Sequence, residues 1–292
     1  MPYANLSDGP IYYERPGLNV TGKWPVIFFN GWCLSAQYWE EAAHHLENDW
    51  SLLLFDGRGF GRSTQPHYPT TIEGSAIEAE ALLAHLELKA GLRYHVVGHS
   101  LGGVTAAQFA ARAEASGQLA SLTIINSGSF EVTDRQGSSL NFFINLFVRS
   151  KQWFDSPLLR RSVIARSTNL PISQGYSRVI TRDFAEANRQ AALELARSSL
   201  AMATLKNYRG QLEKLKAPVL LLVGDKDATI PPAGMYNIKR FKPESQLVAF
   251  ADCGHLPMLE RPEGFARSLA GHFRQAEVLY HGSQGVLNES SG

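Results

Sequence analysis

Near its middle the chain reads YHVVGHSLGGVTAAQFAARA, from Tyr94 to Ala113. An apolar run ends at Gly98, the segment Gly98-His99-Ser100-Leu101-Gly102 follows, and an Ala-rich segment begins at Leu101. A buried strand, a sharp turn and a helix in this order are the setting in which G-x-S-x-G forms a nucleophile elbow. Glycine on either side of Ser100 avoids clashes in such a turn. The stretch therefore predicts a serine nucleophile at the carboxyl end of a strand, and the alternative is a serine in an ordinary Gly-rich turn.

Apolar runs of the same kind lie on both sides of this stretch. They cover residues 25–29, 51–55, 94–97, 122–125, 219–223 and 246–250. Continuous rather than alternating apolarity indicates strands that are covered on both faces, as in parallel sheets. Helical patterns at 38–46, 72–88 and 101–113 separate the runs, and the first residues predict a small hairpin across Asp8-Gly9. This alternation predicts an α/β fold with a doubly wound, mostly parallel sheet.

The alternation stops between about residues 130 and 211. No strand-like run of comparable quality occurs there, and the segment predicts helices at 140–154, 158–167, 173–180 and 181–205. An all-helical block inside an α/β chain indicates an insertion packed over the sheet. We therefore expect residues 130–211 to form a helical cap, 1–129 and 212–278 to form the two parts of the core, and 279–292 to be a flexible tail.

Composition excludes several classes of protein. The 292 residues carry 28 basic and 27 acidic side chains, a formal net charge of +1, whereas a general nucleic-acid-binding protein shows a basic excess. The two cysteines, Cys33 and Cys253, cannot form a disulfide framework and have no metal-ligand spacing, so no metal site is predicted. The N-terminus lacks the order of a signal peptide, and no apolar run approaches the roughly 20 residues that span a bilayer. These features predict a cytoplasmic protein without stable membrane association.

A serine hydroxyl is a weak nucleophile, and it needs a base that is oriented by a carboxylate. Two loops after later strands supply these groups: Gly224-Asp225-Lys226-Asp227 and Asp252-Cys253-Gly254-His255. In a parallel sheet both loops emerge at the same edge as Ser100. The chain order Ser, Asp, His is the order expected for a catalytic triad whose serine lies on a strand-to-helix turn. The residues alone favour His255 as the base and leave Asp225, Asp227 and Asp252 open as the acid.

The whole chain resembles the α/β-hydrolase superfamily, and within it the capped branch of esterases, haloperoxidase-like enzymes and carbon–carbon bond hydrolases. The matching segments, in order, are Asn30-Gly31-Trp32, residues 56–63 (DGRGFGRS), residues 98–103 (GHSLGG), Gly224-Asp225-Lys226-Asp227 and residues 254–262 (GHLPMLERP). The resemblance implies that Asp227 is the acid of a triad with Ser100 and His255, and that Asp225 organises the turn. It also implies an oxyanion hole made by the backbone N–H groups of Trp32 and Leu101.

One residue departs from the family pattern. Where the family usually has His-Gly, this chain has Asn30-Gly31, and the favoured interpretation is that the Asn30 amide organises the loop locally. The alternative is that this amide points at the substrate. Candidate substrate contacts around the expected pocket are Asn30, Gly31, Cys33, His99 and Leu256. Residues 56–63 are Gly-rich but lack the spacing of a phosphate loop. The resemblance implies that they form a rigid turn in which Arg58 binds local carboxylates and carbonyls.

Together these observations predict a serine hydrolase without a cofactor. Through an acyl-enzyme it would cleave a carboxylic ester, a lactone or a thioester of an apolar small molecule, in keeping with the apolar cap segment at 142–148 (FFINLFV). One alternative is a carbon–carbon bond hydrolase with the same triad, and another is a ligand-binding or receptor relative with little turnover. The protein is expected to be a monomer or a homodimer.

Overall fold

The computed structural model describes residues 2–18, 23–63, 69–88, 92–128 and 156–289. Its strands are β1 (Tyr3–Leu6), β2 (Gly9–Glu14), β3 (Val26–Phe29), β4 (Leu52–Phe55), β5 (Tyr94–His99), β6 (Leu119–Ile125), β7 (Val219–Gly224) and β8 (Gln246–Phe250). They form one sheet in the order β1-β2-β4-β3-β5-β6-β7-β8. The hairpin β1–β2 and the pair β2–β4 are antiparallel, and the other neighbours are parallel. The prediction of an α/β fold with a doubly wound, mostly parallel sheet is confirmed.

Two layers of apolar side chains enclose this sheet. In β3, Ile27 and Phe29 belong to one buried cluster, whereas Val26 and Phe28 belong to the other. The strand is buried at all four positions, because successive side chains point to opposite faces and each face is covered. This double covering is the physical reason for the continuous apolar runs in the sequence.

The helices lie between and after the strands. They are a 3-10 helix (Ala36–Trp39), α1 (Glu40–His44), α2 (Ile72–His85), α3 (Leu101–Ala115), α4 (Pro157–Ser167), α5 (Gln174–Glu186), α6 (Arg189–Leu200), α7 (Met202–Lys214), α8 (Ala233–Phe241), α9 (Pro257–Glu260) and α10 (Pro262–Glu289). Helices α4 to α7 come from the segment predicted as the cap. The helix predicted at 140–154 lies outside the described residues.

The breaks between the cap helices differ from the prediction. The predicted break between residues 180 and 181 is wrong, because α5 continues to Glu186 with Ile180 and Thr181 buried. The chain breaks instead at Asn188, whose side-chain oxygen accepts the N–H groups of Gln190 and Ala191 and so caps α6. The last cap helix runs to Lys214, and the boundary predicted at residue 211 falls inside it.

Helix α10 extends to Glu289, through part of the segment predicted as a tail. Val278 and Leu279, at the boundary between the predicted core and the predicted tail, are exposed at 70% and 53%. No helix within the described ranges is both long enough and apolar enough to cross a bilayer.

Candidate active site

The predicted nucleophile, Ser100, lies in the turn between β5 and α3. Its φ of 55° and ψ of −126° are a strained conformation for a residue with a side chain. Both neighbouring glycines are required by close contacts. A Cβ on Gly98 would lie 2.5 Å from the Cβ of Ala106, and one on Gly102 would lie 2.3 Å from the carbonyl oxygen of Asn30. The strand, the strained turn and the helix are therefore arranged as the sequence predicted, with Ser100 half-buried at the carboxyl edge of the sheet.

His255 and Asp227 meet on the loops that follow β8 and β7. Nδ1 of His255 lies 2.6 Å from Oδ2 of Asp227, and both residues are buried. The other carboxylate oxygen of Asp227 accepts the backbone N–H groups of Thr229 and Ile230, at 2.7 and 2.9 Å. One oxygen thus fixes the carboxylate to its own loop, while the other orients the imidazole.

The two competing acids lie elsewhere on these loops. Asp225 accepts the backbone N–H of Cys253 at 3.3 Å, so it organises the turn as the resemblance implied. Asp252 is exposed and has a φ of 53°. The arrangement therefore favours Asp227 as the acid partner of His255.

Two side chains join the loop of His255 to the strand ends beside Ser100. The carbonyl oxygen of His255 is 2.8 Å from Nε2 of His99 and 3.0 Å from the amide nitrogen of Asn126. The amide oxygen of Asn126 accepts the N–H of Gly224 at 2.9 Å, which ties in the end of β7 as well. Asn126 was not among the site residues predicted from the sequence. Asn126 comes directly after the apolar run at 122–125, at the carboxyl end of a predicted strand, and this position is the signal that could have revealed it.

His99 also connects to the loop after β3. A carbonyl oxygen can only accept, so Nε2 of His99 carries the proton, and Nδ1 accepts the hydroxyl hydrogen of Tyr38 at 3.2 Å. The Tyr38 oxygen in turn accepts the N–H of Gly31 at 2.9 Å. Burial and the neighbouring His255 hold the pKa of His99 well below its usual range, which keeps this ring neutral. The chain of bonds links the loop of Gly31 to the loop of His255.

The two predicted oxyanion donors lie at this edge of the sheet. Leu101 is the first residue of α3, so its N–H has no acceptor within the helix. Trp32 follows Gly31, and its indole N–H donates to the carbonyl oxygen of Ala192 in α6 at 2.9 Å. The side chain of Trp32 therefore binds helix α6. The role of its backbone N–H as an oxyanion donor stays a prediction.

The Asn30 amide is bound within its own loop. Its nitrogen donates to the carbonyl oxygen of Phe55 at 2.8 Å, and its oxygen accepts the indole N–H of Trp39 at 2.9 Å. Both ends of the amide are thus engaged with the protein. This arrangement supports the interpretation that Asn30 organises the loop.

The other candidate substrate contacts are buried. The relative exposure of Cys33, His99 and Leu256 is 1%, 0% and 1%, and Gly31 is buried as well. Burial raises the pKa of the Cys33 and Cys253 thiols, so both stay protonated and weakly reactive. The structure gives these residues packing partners and hydrogen bonds within the protein, and the substrate contacts predicted for them stay predictions.

The segment at residues 56–63 forms a turn held by a buried ion pair and by a buried carboxylate. Nε of Arg58 lies 2.7 Å from a carboxylate oxygen of Glu78, and the Arg58 side chain is 4% exposed. Asp56 accepts the backbone N–H groups of Ala36 and Arg62, at 2.6 and 2.8 Å. The contacts are those of the rigid turn that the resemblance implied.

Comparison with known proteins places the chain in a family. Residues 25–262 match the family described as alpha/beta hydrolase fold. A non-heme haloperoxidase of Rhodococcus erythropolis is 27% identical over 244 residues, which cover 80% of this chain and 84% of that protein. A pimeloyl-[acyl-carrier protein] methyl ester esterase of Neisseria meningitidis is 28% identical over 280 residues, 91% of this chain and 79% of that protein.

A similar solved structure agrees in fold. A thermophilic esterase from Thermogutta terrifontis superposes with a TM-score of 0.75 at 24% identity, and the match covers 94% of this chain and 98% of that one. The family match runs from residue 25, just before β3, to residue 262, at the start of α10. The resemblance read from the sequence motifs is confirmed, and the chain belongs to the alpha/beta hydrolase fold family.

Proposed function

We propose that this chain is a serine hydrolase that cleaves a carboxylic ester of an apolar small molecule, with Ser100 as nucleophile, His255 as general base and Asp227 as its partner. The observation that carries the proposal is the 2.6 Å contact between Nδ1 of His255 and Asp227, on a loop that is bonded to the strand ends beside Ser100. Hydrolase chemistry agrees with the family, and esterases are among the similar proteins.

The proposed reaction has two stages. The Ser100 oxygen attacks the carbonyl carbon, and Nε2 of His255 takes the hydroxyl proton. When the tetrahedral intermediate collapses, the bond to the leaving alcohol breaks and His255 returns the proton to that alcohol. A water molecule then attacks the acyl-enzyme with His255 as base, which releases the acid and restores Ser100. Asp227 holds the imidazole in the required tautomer and stabilises the imidazolium in both stages.

The proposed oxyanion site consists of the N–H groups of Trp32 and Leu101. Leu101 opens a 15-residue helix, so its N–H and the positive end of the helix dipole act at the same point. Trp32 lies on the loop that the Gly31–Tyr38–His99 bonds connect to His255. This connection supports a fixed spacing between the oxyanion donors and the base.

The experiment is a Ser100→Ala substitution assayed with short p-nitrophenyl esters and with a fluorophosphonate probe. We expect ester turnover to fall by about 10³-fold or more and labelling to disappear, since both need the serine oxygen. Parent-like turnover in Ser100→Ala would overturn the proposal. An unlabelled parent protein would favour a binding protein, and faster turnover of a vinylogous diketone than of esters would favour a carbon–carbon bond hydrolase.

A further inference from the structure

A short segment of the cap lies along the loops that carry Asp227 and His255. We name residues 166–170, at the end of α4 and just after it, the strut. The carbonyl oxygen of Ser167 accepts the backbone N–H of His255 at 2.8 Å. The carbonyl oxygen of Arg166 accepts the hydroxyl hydrogen of Thr229, in the loop of Asp227, at 3.1 Å. The strut thus contacts both loops of the proposed triad.

The strut packs against residues 252–256, the loop of His255, which we name the base loop. This packing leaves no space for a side chain at Gly254. A Cβ on Gly254, directly before His255, would lie 2.7 Å from the backbone nitrogen of Asn169. The side-chain amide nitrogen of Asn169 also donates to the carbonyl oxygen of Asp252 at 3.0 Å. Gly254 is therefore required by this contact, and displacement of the strut would disturb the backbone of His255.

A buried carboxylate, Glu260, joins the strut to the base loop. One oxygen, Oε2, accepts the backbone N–H groups of Asn169 and Leu170, both at 2.8 Å, and that of Gly254 at 2.9 Å. The other oxygen, Oε1, accepts the N–H of Leu256 at 3.2 Å and shares the N–H of Gly254 at 3.1 Å. Glu260 is only 8% exposed. Its two oxygens therefore serve two segments that are about 90 residues apart in sequence.

We propose that Glu260 is a positioning residue that couples the docking of the cap to the placement of the His255 imidazole. The inference rests on the proposed function, since it concerns the base of that reaction. Three successive N–H groups, those of Gly254, His255 and Leu256, are fixed either by Glu260 or by the strut. The backbone of the base is thus held by Glu260 and by the strut, while Asp227 holds its ring.

A carboxylate is needed here because both ends of the side chain must accept. Glutamine has the same shape, but one of its ends is an NH₂ group that can only donate. In Glu260→Gln an NH₂ group at the Oε2 position would face the N–H groups of Asn169 and Leu170, and the strut would lose its acceptor. At the Oε1 position it would face the N–H of Leu256, which would lose its acceptor, while Gly254 keeps its bond to the remaining oxygen. The variant therefore loses either the bonds to the strut or the bond to Leu256, while the volume of the side chain is conserved.

The test compares the Glu260→Gln variant with Glu263→Gln, an exposed glutamate three residues further on. Steady-state kinetics with a p-nitrophenyl ester should show kcat reduced about 10- to 100-fold in Glu260→Gln, because misplacement of a catalytic group by about 1 Å costs up to about 100-fold. We expect KM to change little, and Glu263→Gln to match the parent. Amide hydrogen exchange should become faster both at residues 169–170 and at 254–256.

A role in stability alone gives a different result. Glu260→Gln would then lower the melting temperature but keep the parental kcat at a temperature where circular dichroism shows it folded, and this outcome overturns the inference. If that variant does not fold, Asn169→Ala replaces it, since it removes only the bond to Asp252. We expect a kcat several-fold below the parent in Asn169→Ala, and unchanged kcat and exchange at 254–256 would overturn the inference. Ser100→Ala measured in parallel separates the two proposals, because activity in that variant contradicts the triad itself.

Discussion

At the scale of single residues, the two acids of the loop after β7 make a matched pair for a test of the triad. Asp227 contacts Nδ1 of His255 at 2.6 Å, whereas Asp225 contacts only backbone N–H groups among the hydrogen bonds that the structure gives it. We expect Asp227→Asn to reduce kcat by about 10³- to 10⁴-fold, because the amide can donate to Nδ1 and so stabilise the wrong tautomer. The measurement is kcat for a p-nitrophenyl ester.

Asp225→Asn is the control for this substitution. It makes the same change of charge two residues away and should retain most of the parental kcat, since an amide oxygen can still accept the N–H of Cys253. The reverse result, with Asp225→Asn inactive and Asp227→Asn active, would contradict the assignment of the acid.

The roles of the triad residues could be predicted in part from the sequence. Ser100, the acid pair Asp225 and Asp227, and His255 could be found because each lies in the short segment that follows an apolar run, and each run predicts a strand. The choice between Asp225 and Asp227 came from the family resemblance, since a spacing of two residues does not determine which side chain meets the imidazole. Glu260 was part of a quoted motif and received no role, because its partners in the strut are about 90 residues distant and only the fold brings them together.

At the scale of elements, helix α5 of the cap is bonded to the loop that carries the proposed oxyanion donor. Asp183 is buried, and one of its oxygens accepts both the backbone N–H of Ser35, at 2.8 Å, and the Ser35 hydroxyl hydrogen. We expect Asp183→Ala to lower the free energy of unfolding by about 1–3 kcal/mol, since it leaves buried Ser35 donors without an acceptor. Chemical denaturation in urea measures this quantity.

Activity should change together with stability in Asp183→Ala. The loop from Asn30 to Ser35 contains Trp32, so its displacement moves the proposed oxyanion donor, and we expect kcat/KM to fall. Glu186→Ala is the control on the same helix, because the Glu186 side chain is 64% exposed. Equal effects of the two substitutions would show that Asp183 does not fix this loop.

The strands and the cap helices were not equally predictable. Burial on both faces leaves a continuous apolar run for each parallel strand, so the strands at 25–29, 51–55 and 246–250 were located to within a residue. The break after α5 depends on a distant contact. The backbone N–H of Asn188 donates to the carbonyl oxygen of Gly59 at 2.8 Å, and Gly59 has no space for a Cβ next to Ala191. The local signal for that turn is Asn188, because asparagine is a favoured N-cap residue, and the predicted break at 180–181 overlooked it.

At the scale of the whole molecule, buried histidines make the stability of the fold depend on pH. His272 of α10 is 2% exposed, and burial, together with the nearby His95, lowers its pKa to about 4. The unfolded chain has an ordinary histidine pKa of about 6.5, so it binds the proton at a higher pH than the folded protein does. Stability is therefore lost as the pH falls from about 6.5 towards 4, and His272 contributes a loss of about 2 kcal/mol at pH 5.

Two titratable groups near His272, His95 and Glu277, also affect how the free energy of unfolding changes with pH. Burial also lowers the pKa of His95, which adds to the loss in the same direction. Burial opposes the ionisation of Glu277, but hydrogen bonds from His95 and Lys23 hold its pKa at about 2, so its contribution changes only at lower pH. A variant at residue 272 therefore isolates one histidine between pH 7.5 and pH 5.

Replacement by an apolar ring removes the proton site and keeps most of the volume, so His272→Phe is the variant to compare with the parent. We expect the drop in unfolding free energy between pH 7.5 and pH 5, measured in urea, to be about 2 kcal/mol smaller in His272→Phe. His44→Phe serves as the control, since the His44 side chain is 79% exposed, and it should follow the parental pH dependence. Removing the buried imidazole also removes the free-energy cost of protonating it. If His272→Phe shows the parental pH dependence, that dependence therefore arises from other groups.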